Sequence, residues 1–295
     1  MNRCSIRYAV TLMVAGALVG ATERHASPAP VIRLIVQADD LGVAHGINVA
    51  SIQAYTQGIV RSVNVIVPAP WTPEAVALLD QHPDLDAGVH LAITSEWSSI
   101  KWRPLTGAPS LVDARGYFLS MVWPNDRLPP KSSLKENAPV LTEIERELRA
   151  QIEFAKREIP QLTYTWNHMG FDSLAPEIRE LTNKLTKEYG LVTPFDLGVQ
   201  DIGHVYEGTD TGAVKATKLA ARLEALGPGT WLMVDHAAVD TAETRALGHP
   251  GYENVAADRS AVFEAWTSSA VKDVIRRRGI ALTNYRVLLD ENKQP

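Results

Sequence analysis

The repeated alternation of short apolar segments with amphipathic segments is the feature that most constrains the fold of this chain. The apolar segments are too short for helix cores and are rich in β-branched residues, which is typical of buried strands. They lie at residues 31–36, 61–67, 86–93, 162–167, 191–195, 230–234 and 280–282. Segments with helical spacing separate them, at residues 46–55, 73–81, 140–158, 175–189, 214–226 and 257–278.

Strand–helix alternation repeated about seven times indicates an α/β protein with a parallel sheet. The number of units, and the absence of a glycine-rich phosphate loop after the first strand, favour a variant (β/α) TIM-like barrel over an open doubly wound sheet. No low-complexity linker and no internal repeat interrupts the pattern. We therefore expect residues 30–295 to form a single barrel domain.

The N-terminal segment is predicted to be a secretory signal peptide rather than part of the fold. Arg3 and Arg7 precede a short apolar run at residues 9–19, and small residues follow it. This run is shorter than the roughly 20 residues that a spanning helix needs, which argues against an uncleaved membrane anchor. We place the peptide at residues 1–21, with cleavage at its end or a few residues later, and expect a secreted or periplasmic protein. The only cysteine, Cys4, lies in this segment, so the mature chain has no disulfide.

The charge of the chain and the motifs that it lacks exclude several classes of function. The formal net charge of −5 gives no basic surface for nucleic acid or for an anionic membrane. Neither a G-x-G-x-x-G nor a G-x-x-x-x-G-K-[ST] motif is present, which argues against a nucleotide-dependent enzyme. We expect no nucleic-acid partner and, after removal of the signal peptide, no membrane association. The sequence leaves the oligomeric state open, with a homodimer as one alternative.

Residues 94–139 form a Trp-rich insertion after the third predicted strand, and they have no regular hydrophobic periodicity. The insertion contains Trp97, Trp102 and Trp123 and five prolines between residues 104 and 130. A long stretch of this kind is usually a functional loop or a lid, and its tryptophans argue against disorder. Two interpretations are open: the indoles stack on a ligand, or they anchor the segment to the core.

Carboxylate and imidazole side chains follow four of the predicted strands at their carboxyl ends. They are Asp39 and Asp40, His90, His168, and Asp235 with His236. In a parallel barrel these ends meet at one mouth, where such proteins place their chemistry. Two adjacent carboxylates repel each other unless a cation, a shared proton or open water offsets their charges. One aspartate with two histidines is a common ligand set for a divalent cation, so the pattern favours a metal site.

Several stretches of the sequence resemble the YdjC-like family of carbohydrate deacetylases. They are QADDLG with the helix and strand that follow it, HPDLDAGVHLAIT, PSLVDARGYF, ELRAQIEFA and NHMGF. The resemblance extends from about residue 31 to residue 289. Its most specific part is the pair of motifs D-D-x-G and G-V-H-L at this spacing.

The resemblance implies a barrel related to polysaccharide deacetylases, and the removal of N-acetyl groups from a sugar or an oligosaccharide. It implies one divalent metal ion, magnesium or zinc, held by Asp40, His90 and His168. Asp39 would be the general base for the attacking water, and His236 would be the general acid for the departing amine.

The carbohydrate substrate is expected to contact Trp97, Trp102 and Arg103, because indole faces suit the apolar faces of pyranose rings. The sequence also departs from the family pattern T-H-x-D-S-H before the M-G pair, with Tyr164 and Trp166 in place of a histidine and an aspartate. These differences leave two alternatives beside N-deacetylation. One is a metal-assisted hydrolase of another amide or ester, and the other is a non-catalytic carbohydrate-binding protein on the same barrel.

Overall fold

The computed structural model describes residues 31–293, and the predicted signal peptide at residues 1–21 lies outside them. The strands are β1 Ile32–Leu41, β2 Ser62–Val65, β3 Asp86–Leu91, β4 Leu162–Asn167, β5 Gln200–Asp201, β6 Gly229–Asp235 and β7 Ala281–Leu282. The helices are α1 His45–Thr56, α2 Thr72–Asp80, α3 Leu134–Asn137, α4 Leu141–Glu158, α5 Pro176–Glu188, α6 Gly212–Glu224, α7 Val255–Thr267, α8 Ser269–Arg278 and α9 Tyr285–Asn292. None of the helices within this range is both long and apolar enough to cross a lipid bilayer.

The strands form one parallel sheet in the order β4–β3–β2–β1–β6–β5, and β7 pairs with the amino-terminal part of β1. All pairings between these strands are parallel. This arrangement confirms the predicted α/β fold with about seven parallel strands in a TIM-like barrel. Between residues 31 and 293 no ladder of hydrogen bonds joins β4 to β5, so the barrel stays open on that side.

The two faces of β1 pack into different parts of the core. Leu34 and Val36 belong to the large apolar cluster between the sheet and its helices, whereas Ile35 faces the inside of the barrel. This division follows from the period of two in a strand. Inside the barrel, Ile35 packs with Leu232 of β6 and with Tyr285 at the start of α9.

Helix α9 covers the amino-terminal end of the barrel interior. The backbone N–H of Tyr285 donates to Oδ2 of Asp86, the first residue of β3, at 3.2 Å. Arg286 donates to the backbone carbonyls of Pro83 and Leu85, which precede β3. The last helix of the fold is therefore fixed to the bottom of the barrel by polar contacts as well as by its apolar face.

Two predicted boundaries are wrong. The first strand does not end at residue 36 but continues through the aspartate pair to Leu41, because its pairing with β2 extends to that residue. The predicted helix at 257–278 is two helices. Ser268 divides them, since its backbone is extended and its hydroxyl accepts a hydrogen bond that caps α8.

The weak strand predicted at 191–195 is also absent. Only Val192 makes a strand-like contact, as an isolated bridge to Tyr164. Proline has no N–H group to donate to a ladder, so a strand does not continue through Pro194. A 3-10 turn begins at this residue instead. The strand of this region lies further along the chain, at Gln200–Asp201.

The chain between β3 and α4, residues 92–140, has little regular structure: a 3-10 turn at Pro109–Leu111 and the single-turn helix α3. Helix α4 holds this segment through a buried carboxylate. The side chain of Glu147 accepts hydrogen bonds from the backbone N–H groups of Leu105 at 3.0 Å and Thr106 at 2.9 Å. These bonds satisfy backbone groups that no helix or strand would satisfy here.

Candidate active site

The two adjacent carboxylates lie in a bulge at the carboxyl end of β1. The pairing of β1 with β2 shifts register between Ala38 and Leu41. Asp40 has a φ of 72°, in the left-handed region that aspartate tolerates better than most residues. Neighbouring side chains of a regular strand point to opposite faces, so the bulge is what directs both Asp39 and Asp40 to the mouth of the barrel.

Asp40, His90 and His168 come together at this mouth. Nε2 of His90 lies 3.0 Å from Nδ1 of His168, and each of these nitrogens lies 3.5 Å from Oδ1 of Asp40. All three residues are buried. The barrel thus collects three potential metal ligands from β1, β3 and the turn after β4.

This cluster fits one divalent cation. Oδ1 of Asp40 is buried and accepts no hydrogen bond from any residue between 31 and 293. A buried polar atom without a partner is costly, and a cation in contact with the three atoms would remove that cost. Burial, reinforced by the neighbouring His168, lowers the pKa of His90 well below its usual value, so its ring is neutral and has a lone pair to offer. The cluster could therefore bind a metal.

Asp39 is held by two amide groups. Nε2 of Gln37 donates to Oδ1 of Asp39 at 2.7 Å, and Nδ2 of Asn64 donates to the same oxygen at 2.8 Å. The second oxygen, Oδ2, faces the metal cluster and lies 3.9 Å from Nε2 of His90. Burial raises the pKa of Asp39 to about 6, although the charge of His236 and the hydrogen bond from Gln37 act in the opposite direction.

Arg259 of α7 brings a buried cation to the site. Its Nη1 lies 2.9 Å from Oδ2 of Asp40, and its guanidinium lies 5.0 Å from the ring centre of Trp97. Burial alone would raise the pKa of Asp40, but the charges of His236, Arg259 and the two other imidazoles hold this pKa below its usual range. Asp40 is therefore ionised, with one oxygen against Arg259 and the other facing the histidine pair.

Glu96 orients His168 from the other side of the ring. Oε2 of Glu96 lies 2.9 Å from Nε2 of His168, and both side chains are buried. Burial alone would lower the pKa of His168, but the carboxylate of Glu96 outweighs it and raises this pKa. A carboxylate on the far nitrogen of a ligand histidine fixes the ring and increases its basicity. Nδ1 of His168 is thereby left to face Asp40 and His90.

His236 stands at the opening of the site, where its side chain is 35% exposed and its Nε2 lies 3.7 Å from Oδ2 of Asp40. Oδ1 of Asp235 accepts the backbone N–H of His236 at 2.7 Å and lies 3.4 Å from its Nδ1. Burial would lower the pKa of His236, but Asp40 and Asp235 together raise it. A cleft of about 410 Å³, lined in part by Tyr206 and Lys215, opens at this residue.

The predicted substrate contacts lie in different environments. Trp97 and Trp102 are each 2% exposed, and the ring of Trp102 lies 6.1 Å from that of His168. This burial fits the interpretation in which the indoles anchor the segment, and it leaves neither indole open to a sugar ring here. Arg103 is exposed and its guanidinium lies 4.0 Å from the ring centre of Tyr117. A carbohydrate contact by these residues stays a prediction.

The two aromatic residues that depart from the family pattern also have separate places. Tyr164 lies inside the barrel against Gly88. A Cβ atom on residue 88 would come within 2.5 Å of the tyrosine ring, so the ring occupies the space that a larger residue would need. Trp166 lines a groove of about 540 Å³ with the exposed Phe195. The lining of this groove includes none of the predicted metal or catalytic residues. The smaller cleft, which His236 lines, is therefore the better candidate for substrate binding.

Four residues of the site were not assigned from the sequence: Gln37, Asn64, Glu96 and Arg259. A signal existed for Gln37 and Asn64, because both are polar residues at interior-facing positions of strands that are otherwise apolar. Neither periodicity nor spacing gave such a signal for Glu96 and Arg259. They come from an irregular segment and from a helix late in the chain, and only the tertiary structure brings them to the mouth.

Comparison with known proteins agrees with this fold and identifies relatives of the chain. The sequence model of a family described as YdjC-like protein matches residues 33–277. A carbohydrate deacetylase from Thermus thermophilus is 30% identical over 238 residues, which cover 72% of this chain and 80% of that protein. A carbohydrate deacetylase from Thermoanaerobacter pseudethanolicus is 28% identical over 271 residues, covering 86% of this chain and 98% of that protein.

A solved structure shares the fold over most of the chain. It is that of a candidate cellobiose-phosphate cleavage protein from Enterococcus faecalis V583, with a TM-score of 0.69 and 22% identity. The similarity covers 88% of this chain and 99% of that one, and it bears on the fold alone.

The fold and the site together define a parallel α/β-barrel protein with a buried cluster of metal-ligand type at its mouth. Within that class, the match over residues 33–277 identifies the family: the chain belongs to the YdjC-like proteins. The resemblance carried by the motifs QADDLG and GVHLAIT is thus confirmed.

Proposed function

We propose that this protein is a metal-dependent hydrolase that removes N-acetyl groups from an N-acetylated sugar or oligosaccharide. The observation that carries the proposal is the buried triangle of Asp40, His90 and His168, with Asp39 beside it and His236 at its opening. Relatives named as carbohydrate deacetylases supply the substrate class. Hydrolysis of an amide needs a polarised carbonyl, an activated water and a proton for the departing nitrogen.

The base in this mechanism is Asp39. A divalent ion held by Asp40, His90 and His168 would polarise the amide carbonyl and make a water more acidic. Asp39 takes the proton of the attacking water on Oδ2, because Oδ1 already accepts two amide N–H groups. Those two hydrogen bonds also fix the plane of the carboxylate, so Oδ2 keeps its direction toward the cluster.

The acid in this mechanism is His236. Its side chain is the most accessible of the titratable groups in the cluster, and it faces the cleft through which a sugar could enter. Asp235 holds the imidazole, and the neighbouring carboxylates favour the protonated ring. The ring therefore holds a proton that it can give to the departing amine, after which acetate and the amino sugar leave through the same cleft.

The place of action is part of the proposal. A signal peptide at residues 1–21 would bring the enzyme to the periplasm or outside the cell, where N-acetylated glycans are accessible. Amino-terminal sequencing of protein recovered from the periplasm or the culture medium tests this. A mature chain that begins shortly after residue 21 is expected, and a chain retained in the cytoplasm with residue 1 in place would contradict it.

Metal content and acetate release from N-acetylglucosamine oligomers, measured on wild type and Asp39→Asn, test the reaction. Asparagine keeps an oxygen that accepts from Gln37 and Asn64, but it cannot take a proton. We expect both proteins to bind metal and only wild type to release acetate. Asp86→Asn, a matched change of a buried aspartate at the opposite end of the barrel, is expected to keep the wild-type rate.

Two outcomes would contradict the proposal in different ways. Bound metal without acetate release from any N-acetyl sugar would favour another metal-assisted hydrolase or a carbohydrate-binding role. No bound metal after reconstitution with magnesium or zinc would make the triangle of Asp40, His90 and His168 a structural cluster.

A further inference from the structure

A chain of buried hydrogen bonds connects the proposed base with the C-terminal helix. Oη of Tyr285 donates to Oε1 of Gln37 at 2.7 Å, and Nε2 of Gln37 donates to Oδ1 of Asp39 at 2.7 Å. Both Tyr285 and Gln37 are 0% exposed, so water does not compete for these groups. This series of hydrogen bonds runs through the inside of the barrel from α9 to the end of β1.

The amide of Gln37 is held from both ends. The carboxylate of Asp39 only accepts hydrogen bonds, so Nε2 of Gln37 faces it and Oε1 is left to accept from the hydroxyl of Tyr285. The reversed amide would place an acceptor oxygen against the carboxylate, where the two groups repel each other. Asn64 has no such second contact, since its Oδ1 has no hydrogen-bond partner among residues 31–293. Gln37 is therefore the donor whose position is fixed at both ends.

We infer that Tyr285 is a positioning residue for Asp39, which it holds through Gln37. This inference rests on the proposed function, in which Asp39 is the base. A fixed donor on Oδ1 keeps Oδ2 directed at the attacking water. Tyr285 is itself fixed, because its side chain is fully buried and packs with Ile35 and Leu232 inside the barrel. The C-terminal helix thereby becomes part of the support of the active site.

Two tyrosine variants of the metal-loaded enzyme separate positioning from general packing. Tyr285→Phe removes the hydroxyl that holds Gln37. Tyr164→Phe removes a buried hydroxyl from the same interior, one that bonds to Ser62 and to the carbonyl of Val63 instead. We expect Tyr285→Phe to lower kcat about 10- to 100-fold with unchanged KM and metal content, because small displacements of a reacting group cost rate. Tyr164→Phe is expected to keep the wild-type kcat, and equal losses in both variants would overturn the inference.

A double-mutant cycle tests whether Tyr285 acts through Gln37. Gln37→Leu removes the amide that connects Tyr285 to Asp39. If the connection is the cause, adding Tyr285→Phe to Gln37→Leu lowers kcat no further. Losses that multiply in the double variant would mean that Tyr285 acts by another route, which would overturn the inference.

A structural measurement keeps this inference separate from the proposed function. If wild type releases no acetate, the proposed function fails, and the position of Asp39 is then taken from crystal structures of wild type and Tyr285→Phe. A displaced Asp39 carboxylate in the variant supports the positioning role. A carboxylate that stays in place overturns that role, whatever the activity of the protein.

Discussion

The two ends of the barrel interior contain the same kinds of side chain and use them in different ways. At the amino end, Asp86 accepts hydrogen bonds from Ser62 at 3.0 Å, from Thr163 at 2.6 Å and from the N–H of Tyr285 at 3.2 Å. At the carboxyl end, Oδ1 of Asp40 is equally buried but accepts no hydrogen bond from residues 31–293. The two carboxylates belong to one sheet, Asp86 on β3 and Asp40 on β1, with β2 between them.

The difference teaches that hydrogen bonding, rather than burial, separates a structural carboxylate from a functional one. A buried carboxylate whose oxygens have protein donors is complete without a ligand. One whose oxygen accepts no hydrogen bond from the protein is a candidate ligand for a cation. Changes at Asp86 and at its partners Ser62 and Thr163 should therefore alter stability and spare the activity, whereas changes at Asp40 and the two histidines should mainly alter the activity.

The largest effect is expected from Asp40→Asn. Asparagine tolerates the left-handed backbone of this position and keeps an oxygen to accept from Arg259, but it offers a metal no charge. Because a bound metal would supply several kcal/mol of transition-state stabilisation in the proposed mechanism, acetate release should fall about a thousandfold or more. Isothermal titration with magnesium or zinc, beside an acetate assay, measures both losses. Full activity with normal metal binding would contradict the metal-binding role proposed for Asp40.

The next effect is on stability and concerns Asp86. Burial raises its pKa to about 6 from an ordinary value of 3.8, although hydrogen bonds from Thr163 and Ser62 act in the opposite direction. The folded protein therefore binds this proton more tightly than the unfolded chain does. The stability that this provides is complete below about pH 4 and is lost as the pH rises through about 6.

Asp86→Asn removes this titration and so isolates its contribution. Between about pH 4 and pH 7, the free energy of unfolding of wild type should fall by about 2 kcal/mol relative to the variant. Urea unfolding of both proteins across this range gives the difference, in which the other titrating groups cancel. If the free energy of unfolding depends on pH in the same way in both proteins, folding does not raise the pKa of Asp86, which would contradict this prediction.

A smaller effect is expected from Glu96→Gln at the carboxyl end. The amide can keep a hydrogen bond to His168 but not the charge that increases the basicity of the ring. Metal affinity should fall about 10- to 100-fold, the usual effect of losing such a partner. Glu143→Gln is the matched control, because Glu143 also fixes the segment before α4, through Ser110, without contacting the site. Equal losses in both variants would assign the effect to the segment and not to Glu96.

The smallest effect is expected from Tyr164→Phe at the amino end. Its hydroxyl donates to the carbonyl of Val63 at 2.8 Å and lies 3.1 Å from the hydroxyl oxygen of Ser62. The loss leaves a buried carbonyl without this donor, which should lower the free energy of unfolding by about 1–2 kcal/mol. Thermal unfolding of the metal-loaded protein measures it. A loss of metal binding in this variant would show that the two ends are not independent.

Much of the fold could be predicted from the sequence, because strand and helix periodicities in this chain are strong and local. The convergence of Asp39, Asp40, His90, His168 and His236 could also be predicted, since the carboxyl ends of parallel strands meet at one edge. The boundary errors at β1 and at α7 and α8 have local causes. A bulge extends the strand, and a capping serine divides the helix.

The partners of the site residues could not be predicted in the same way. Glu96 and Arg259 lie in segments whose hydrophobic patterns do not indicate a position at the mouth of the barrel. Tyr285 reaches the interior because a helix at the end of the chain packs under the barrel. Each of these positions depends on tertiary packing between distant parts of the chain, for which periodicity in a single sequence gives no signal.

The bond between Gln37 and Tyr285 joins residues 248 positions apart, one in the first strand and the other in the last helix. Synthesis on the ribosome therefore produces every proposed metal-binding and catalytic residue well before it produces the group that holds the proposed base. A chain that stops before residue 285 contains Asp39, Asp40, His90, His168 and His236 but lacks the hydroxyl that holds Gln37. In the proposed mechanism full turnover requires Tyr285, and chains that stop before this residue are expected to be poor catalysts even where their barrels fold.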